Sequence, residues 1–167
     1  MPTNAINFLL SAVVSADNFI ADEKGQISFA SQADSHLLKD LMRGDECDCF
    51  IVGRKTFTEM HGNIPKPYII LSHQSSNYKD KENKIYTNTN NFMNILKEYN
   101  LNKPLILGGA TIYSYFLQRD FIIESRITVE ENITLLRGIP WPQVSLGEII
   151  ERKKIANHTT SLRYKKG

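Results

Sequence analysis

Short apolar runs at residues 6–14, 49–53, 68–72 and 104–107 alternate with segments of helical period, and this alternation limits the fold more than any other feature. A strand-length run that is apolar almost throughout belongs to a strand buried on both faces, which requires helices on each side of the sheet. The order strand, helix, strand predicts an α/β domain with a parallel central sheet. Ser31 reads as the N-cap of a helix running to Leu41-Met42, with Leu37, Leu38 and Leu41 on one face. Further helices are expected at 54–60, 92–99 (capped by Asn91) and 110–117. After Asp120 the pattern alternates, at Ile123, 126–129, 149–155 and 161–164, as antiparallel strands do. The sheet is therefore expected to be mixed, mostly parallel, with a C-terminal hairpin at one edge.

The 167 residues suit one domain with one core, spanning 1–167. With 20 basic and 18 acidic residues the net charge is +2, which does not suggest a nucleic-acid partner. Cys47 and Cys49 are too close for a comfortable disulfide and lack the further ligands a zinc site needs. Reduced thiols in a cytoplasmic protein are the plainer expectation. The apolar stretch 8–14 is too short to span a membrane, and His36, His61, His73 and His158 have no ligand-like spacing. Trp141, between Pro140 and Pro142, reads as a core or interface aromatic.

Three places could carry chemistry. Leu105-Ile106-Leu107-Gly108-Gly109-Ala110 is a buried strand entering a helix through two glycines. Such a turn lets a ligand approach the backbone, and the helix start offers free N–H groups to a pyrophosphate. It also serves as a simple tight turn. Ile51-Val52-Gly53-Arg54-Lys55-Thr56 ends another buried strand; a P-loop would need glycine at Asp48 and lysine at Arg54. What remains is a glycine, two cations and a hydroxyl beyond the carboxyl end of a strand, where open α/β sheets bind ligands. An arginine there can fork onto a phosphate, including the 2′-phosphate of NADPH. The third is Asp34, on the same helix face as the leucines. It is either a carboxylate placed to bind something or the partner of Ser31 in a capping box.

In this order the segments resemble the dihydrofolate reductase superfamily, closest to the C-terminal reductase domain of the riboflavin-pathway protein RibD. The resemblance covers nearly the whole chain. It implies a dihydrofolate-reductase-like fold and NADPH as cofactor. Arg54, Thr56 and Ser72 would hold the adenosine phosphates and Gly108, Gly109, Ala110 and Thr111 the pyrophosphate, with Gly53, Lys55 and Ile112 as further cofactor contacts. Tyr113 would lie beside the nicotinamide. Asp34 matches the carboxylate that binds the substrate ring, with Asp17, Phe29 and Leu38 as further substrate contacts. The segment Ser15-Ala16-Asp17-Asn18-Phe19-Ile20-Ala21 looks like the riboflavin branch, with Asn18 in place of a glycine. The Asp34 helix lacks a clear phosphate-binding arginine, and His36 and Lys39 are the nearest substitutes. The Pro-Trp pair of true dihydrofolate reductases is missing, and Lys66 replaces the arginine that grips the folate glutamate.

The expectation is an NADPH-dependent reductase of a small pyrimidine-like substrate, with Asp34 assisting proton delivery. A dihydrofolate reductase is the first alternative, and a non-catalytic nucleotide-binding module the second. A homodimer is the oligomeric state the resemblance implies, with no metal and no membrane partner.

Overall fold

The first apolar run becomes β1 (Phe8–Ser15), whose alternate residues are buried against opposite layers. The computed structural model describes residues 5–60, 63–73, 78–80 and 82–167. Along the chain follow β2 (Phe19–Ala21), α1 (Gln32–Arg43), β3 (Cys49–Gly53), α2 (Arg54–Met60), β4 (Tyr68–Leu71), β5 (Tyr78–Lys79) and β6 (Lys84–Thr87). The remainder comprises α3 (Phe92–Glu98), β7 (Pro104–Ile106), α4 (Ala110–Gln118), β8 (Ile122–Glu130), β9 (Ile139–Pro140), β10 (Glu148–Ala156) and β11 (Thr159–Lys165).

Nine strands form one sheet in the order β10-β11-β8-β1-β7-β3-β4-β6-β5. From β8 to β6 every pairing is parallel. β11 runs antiparallel to β8, and β10 to β11, which is the expected C-terminal hairpin. β5 pairs antiparallel with β6 at the other edge, and β2 pairs with β9 in a separate small sheet, an addition the short segments did not signal. Asn91 precedes α3 but makes no side-chain cap.

The parallel block is covered on both sides. On one face Leu10, Ile51, Ile69 and Ile106 pack with Phe92, Phe116 and Leu117 of α3 and α4. On the other, Phe50, Val52, Ile70 and Leu105 pack with Leu41 and Met42 of α1. Those successive, oppositely pointing apolar residues are why the strands read as continuous runs. The outer strand β10 is exposed along nearly its whole length, and its charges and two bulges guard an otherwise open edge.

Candidate active site

Two strand ends meet at the carboxyl side of the parallel block. The Gly53 N–H, at the end of β3, donates to the Gly108 carbonyl at 2.8 Å. The Gly108–Gly109 peptide is cis, and Gly108 has φ +103°, a conformation that side chains rarely adopt. A Cβ at Gly108 would stand 2.9 Å from the Tyr113 ring, and one at Gly109 would stand 3.0 Å from Thr56 Oγ1. These glycines therefore let the two turns close on each other. Gly109 is also the N-cap of α4 and offers no capping side chain to the first N–H groups of that helix. Free N–H groups at a helix start are the chemistry that suits a phosphate anion. Arg54 and Lys55 are exposed at the start of α2, and Thr56 turns inward. Ser72 follows β4 and donates its N–H to the Thr87 carbonyl at 2.9 Å.

Beside this cradle of glycines lies a cleft of about 190 Å³, lined by Ala12, Asp34, Leu38, Thr56, Met60 and Tyr113 among others. Thr56 thus belongs to both the cradle and the cleft. Burial pushes the Asp34 carboxyl above its ordinary value; a hydrogen bond from Thr128 opposes this, and the nearby Glu130 charge adds to it. The Tyr113 hydroxyl lies 2.7 Å from the Ser11 carbonyl and 3.0 Å from the Leu107 carbonyl. Burial, aided by the Asp34 charge, holds that phenol far above its usual range, so it stays a donor. Its ring packs 5.8 Å from buried Trp141, which is a core aromatic.

Asp34 owes its place to the start of α1. The Ser31 hydroxyl accepts the Asp34 N–H at 3.1 Å, the expected N-cap. The second half of a capping box would return the Asp34 carboxylate to the Ser31 N–H. That N–H instead donates to Glu130 Oε2 at 2.5 Å, across 99 positions of chain. Only the Ser31 half of the expected capping box is therefore formed, and Asp34 lines the cleft.

Asp17 and Phe29, expected at the substrate, are not among the residues lining the cleft. The Asp17 carboxylate accepts the Ser15 hydroxyl at 2.6 Å and the Leu135 and Leu136 N–H groups at 3.1 and 2.8 Å. These bonds tie two loops together and hold its pKa below the ordinary value. Ile27 and Ala30 flank Phe29 and line the cleft where Phe29 was expected. Lys66 is also committed: its ammonium bonds the Gly44 carbonyl and, at 2.9 Å, the Cys47 carbonyl. A groove continuing from the cleft through Ser35, Leu38 and Met60 carries Lys39 and Arg43 along its side. His61 lies outside the described residues. Among the described residues no three His, Cys, Asp or Glu side chains group as metal ligands, and no helix is long and apolar enough to cross a membrane.

The sequence reading missed Thr128 and Glu130. Both lie at alternate positions of β8, a pattern that also describes a solvated strand face; a glutamate that is 2% exposed could be found only by its burial.

The dihydrofolate reductase family description matches residues 9–144. By structure the chain is similar to a protein from Shewanella sp. PV-4 described as a riboflavin biosynthesis protein, with TM-score 0.72 and 19% identity over 97% of this chain and 99% of that one. It is also similar to a diaminohydroxyphosphoribosylaminopyrimidine deaminase/5-amino-6-(5-phosphoribosylamino)uracil reductase from Thermotoga maritima, with TM-score 0.74 and 12% identity. That likeness covers 98% of this chain but 57% of the longer protein. No curated protein matches by sequence. At such identities the structural likenesses establish the fold, and the family match extends over most of the same chain. The chain belongs to the dihydrofolate reductase family.

Proposed function

We propose that the protein is an NADPH-dependent reductase of the riboflavin-pathway type, acting on a small pyrimidine-like ring. The observation that carries this reading is a partly buried carboxyl, Asp34, with its pKa raised by burial, in a cleft that shares Thr56 with the glycine cradle. Bound NADPH supplies a hydride from its nicotinamide ring. The chain's own residues do the rest. The α4 N-terminus and Arg54 hold phosphate charge. Asp34 offers its carboxyl to the polar edge of the substrate ring, orienting it and delivering a proton. Tyr113 has its hydroxyl turned to backbone carbonyls and walls the cleft with its ring.

Two observations favour a small ring over a folate. The cleft is about 190 Å³, and Lys66, at the position expected to grip a folate glutamate, is bound to backbone carbonyls. Lys39 and Arg43, beside the adjoining groove, can instead meet a phosphate. The two structural relatives described above bear riboflavin-pathway names, which fits this substrate class. A dihydrofolate reductase is the second reading, favoured by the Asp34–Thr128 pair beneath the ring site and by the family match.

The deciding experiment follows NADPH absorbance with the ribosylaminopyrimidine substrate and with dihydrofolate, in the wild type and in Asp34→Asn. Turnover of the pyrimidine that collapses in the variant supports the proposal. Turnover of dihydrofolate alone establishes the second reading. Tight NADPH binding without turnover of either makes the protein a nucleotide-binding module.

A further inference from the structure

We infer that Glu130 is the positioning residue for Asp34: it takes the place in the α1 capping box that the Asp34 carboxylate would otherwise occupy, and so leaves that carboxyl free to face the cleft. The inference rests on the reading above, in which Asp34 serves the substrate.

The sequence sets up a competition. Ser31 and Asp34 have capping-box spacing, and in such a box the acid folds back onto the N-cap N–H. An aspartate that did so would spend its carboxylate on the helix. Glu130 prevents this by accepting the Ser31 N–H at 2.5 Å. Its other oxygen accepts the Thr159 hydroxyl at 2.5 Å, and Thr159 Oγ1 lies 3.3 Å from Ser31 Oγ. Glu130 is buried, so both oxygens need such donors. Thr128, two positions earlier on the same face of β8, bonds the carboxyl thus released. One strand face therefore caps the helix with one residue and receives its acid with another.

The groups around Asp34 come from several elements. Thr128 and Glu130 reach it from β8, Tyr113 from α4, and Thr56 and Met60 line the cleft from α2. Among these the charged one is Glu130, and the only other titratable one is Tyr113. Glu130 thus acts on Asp34 twice, by denying it the Ser31 N–H and by repelling its ionised form.

Two substitutions separate these effects. Glu130→Ala removes both, so Asp34 closes onto the Ser31 N–H while the helix stays capped. We expect kcat to fall roughly tenfold to hundredfold with NADPH affinity unchanged. The ¹³C carboxyl titration of Asp34 in the NADPH-bound protein should move to lower pH. Glu130→Gln keeps an amide oxygen for the Ser31 N–H but loses the charge. It should keep its low-pH rate within about threefold of wild type, while the loss of rate on raising pH begins earlier. Wild-type rates and an unmoved Asp34 titration in Glu130→Ala would overturn the inference, as would equal rate losses in both variants. If Glu130→Ala fails to fold, Glu130→Gln decides: its Asp34 titration must still fall. If the wild type turns over neither substrate, the function proposal fails, yet the Asp34 titrations still test the role of Glu130.

Discussion

The two halves of one strand face are built on opposite electrostatic rules. In β8, Glu124, Arg126, Thr128 and Glu130 fall opposite Leu9, Ser11, Val13 and Ser15 of β1 and share a face of the sheet. In the first half, Arg126 pairs with Glu46 at 2.5 Å and Glu124 with Arg163 at 2.7 Å, around a cavity of about 270 Å³. Charge there cancels charge. In the second half, Glu130 and Asp34 are neighbouring carboxylates held by the Thr159 and Thr128 hydroxyls and the Ser31 N–H. Cancelling pairs fasten the surface. Like charges held together by hydrogen bonds raise a pKa, and Asp34, the acid so raised, is the one proposed above to serve the substrate.

The largest effect should come from Asp34→Asn. Turnover should fall about a hundredfold or more while NADPH affinity holds, as measured by single-turnover kinetics and titration. The same variant should melt at a higher temperature at neutral pH. Asp34 is harder to ionise folded than unfolded, so its contribution to stability declines as pH rises from the ordinary value of 3.8 through its raised value. Asparagine removes that cost, and equal melting temperatures at pH 7 would contradict the assignment of a raised pKa.

Next comes Gly108→Ala, which forces a Cβ to within 2.9 Å of the Tyr113 ring at a positive φ. NADPH affinity should drop at least about tenfold in a fluorescence titration, because the cradle must open. Arg54→Ala should weaken NADPH by about tenfold and leave NADH nearly unchanged. Equal losses for the two cofactors would remove Arg54 from the 2′-phosphate. The smallest effect belongs to the other end of the strand. Arg126→Ala should cost at most about 1 kcal/mol in a denaturation curve, less in high salt, and leave kcat alone. A loss of turnover like that of Asp34→Asn would end the distinction between the two halves.

Much of this was legible because it depends on neighbours in sequence. Residues 49–53 read as a buried strand because Phe50 and Ile51 point to different layers and both find apolar cover. Gly53 and Gly108-Gly109 read as ligand turns because glycine after a buried strand needs a reason, and the reason is their contact with each other. Asp34 stayed ambiguous because its alternatives, cap partner or cleft acid, are decided by a residue far along the chain. The bonds of Asp17 were hidden for the same cause: a carboxylate in a loop looks unengaged until Leu135 and Leu136 bring their N–H groups to it. Hydrogen bonds that close over about a hundred residues leave no local period to read.

The cap that Glu130 and Thr159 place on α1 also sets an order of assembly. A chain leaving the ribosome presents Gly53 and Gly108 before Glu130, and Glu130 before Thr159. The two glycine turns can therefore be translated in full while Asp34 beside them still lacks the neighbours that tune it. The surroundings of Asp34 are completed only when Thr159, in the last strand of the hairpin, has been made.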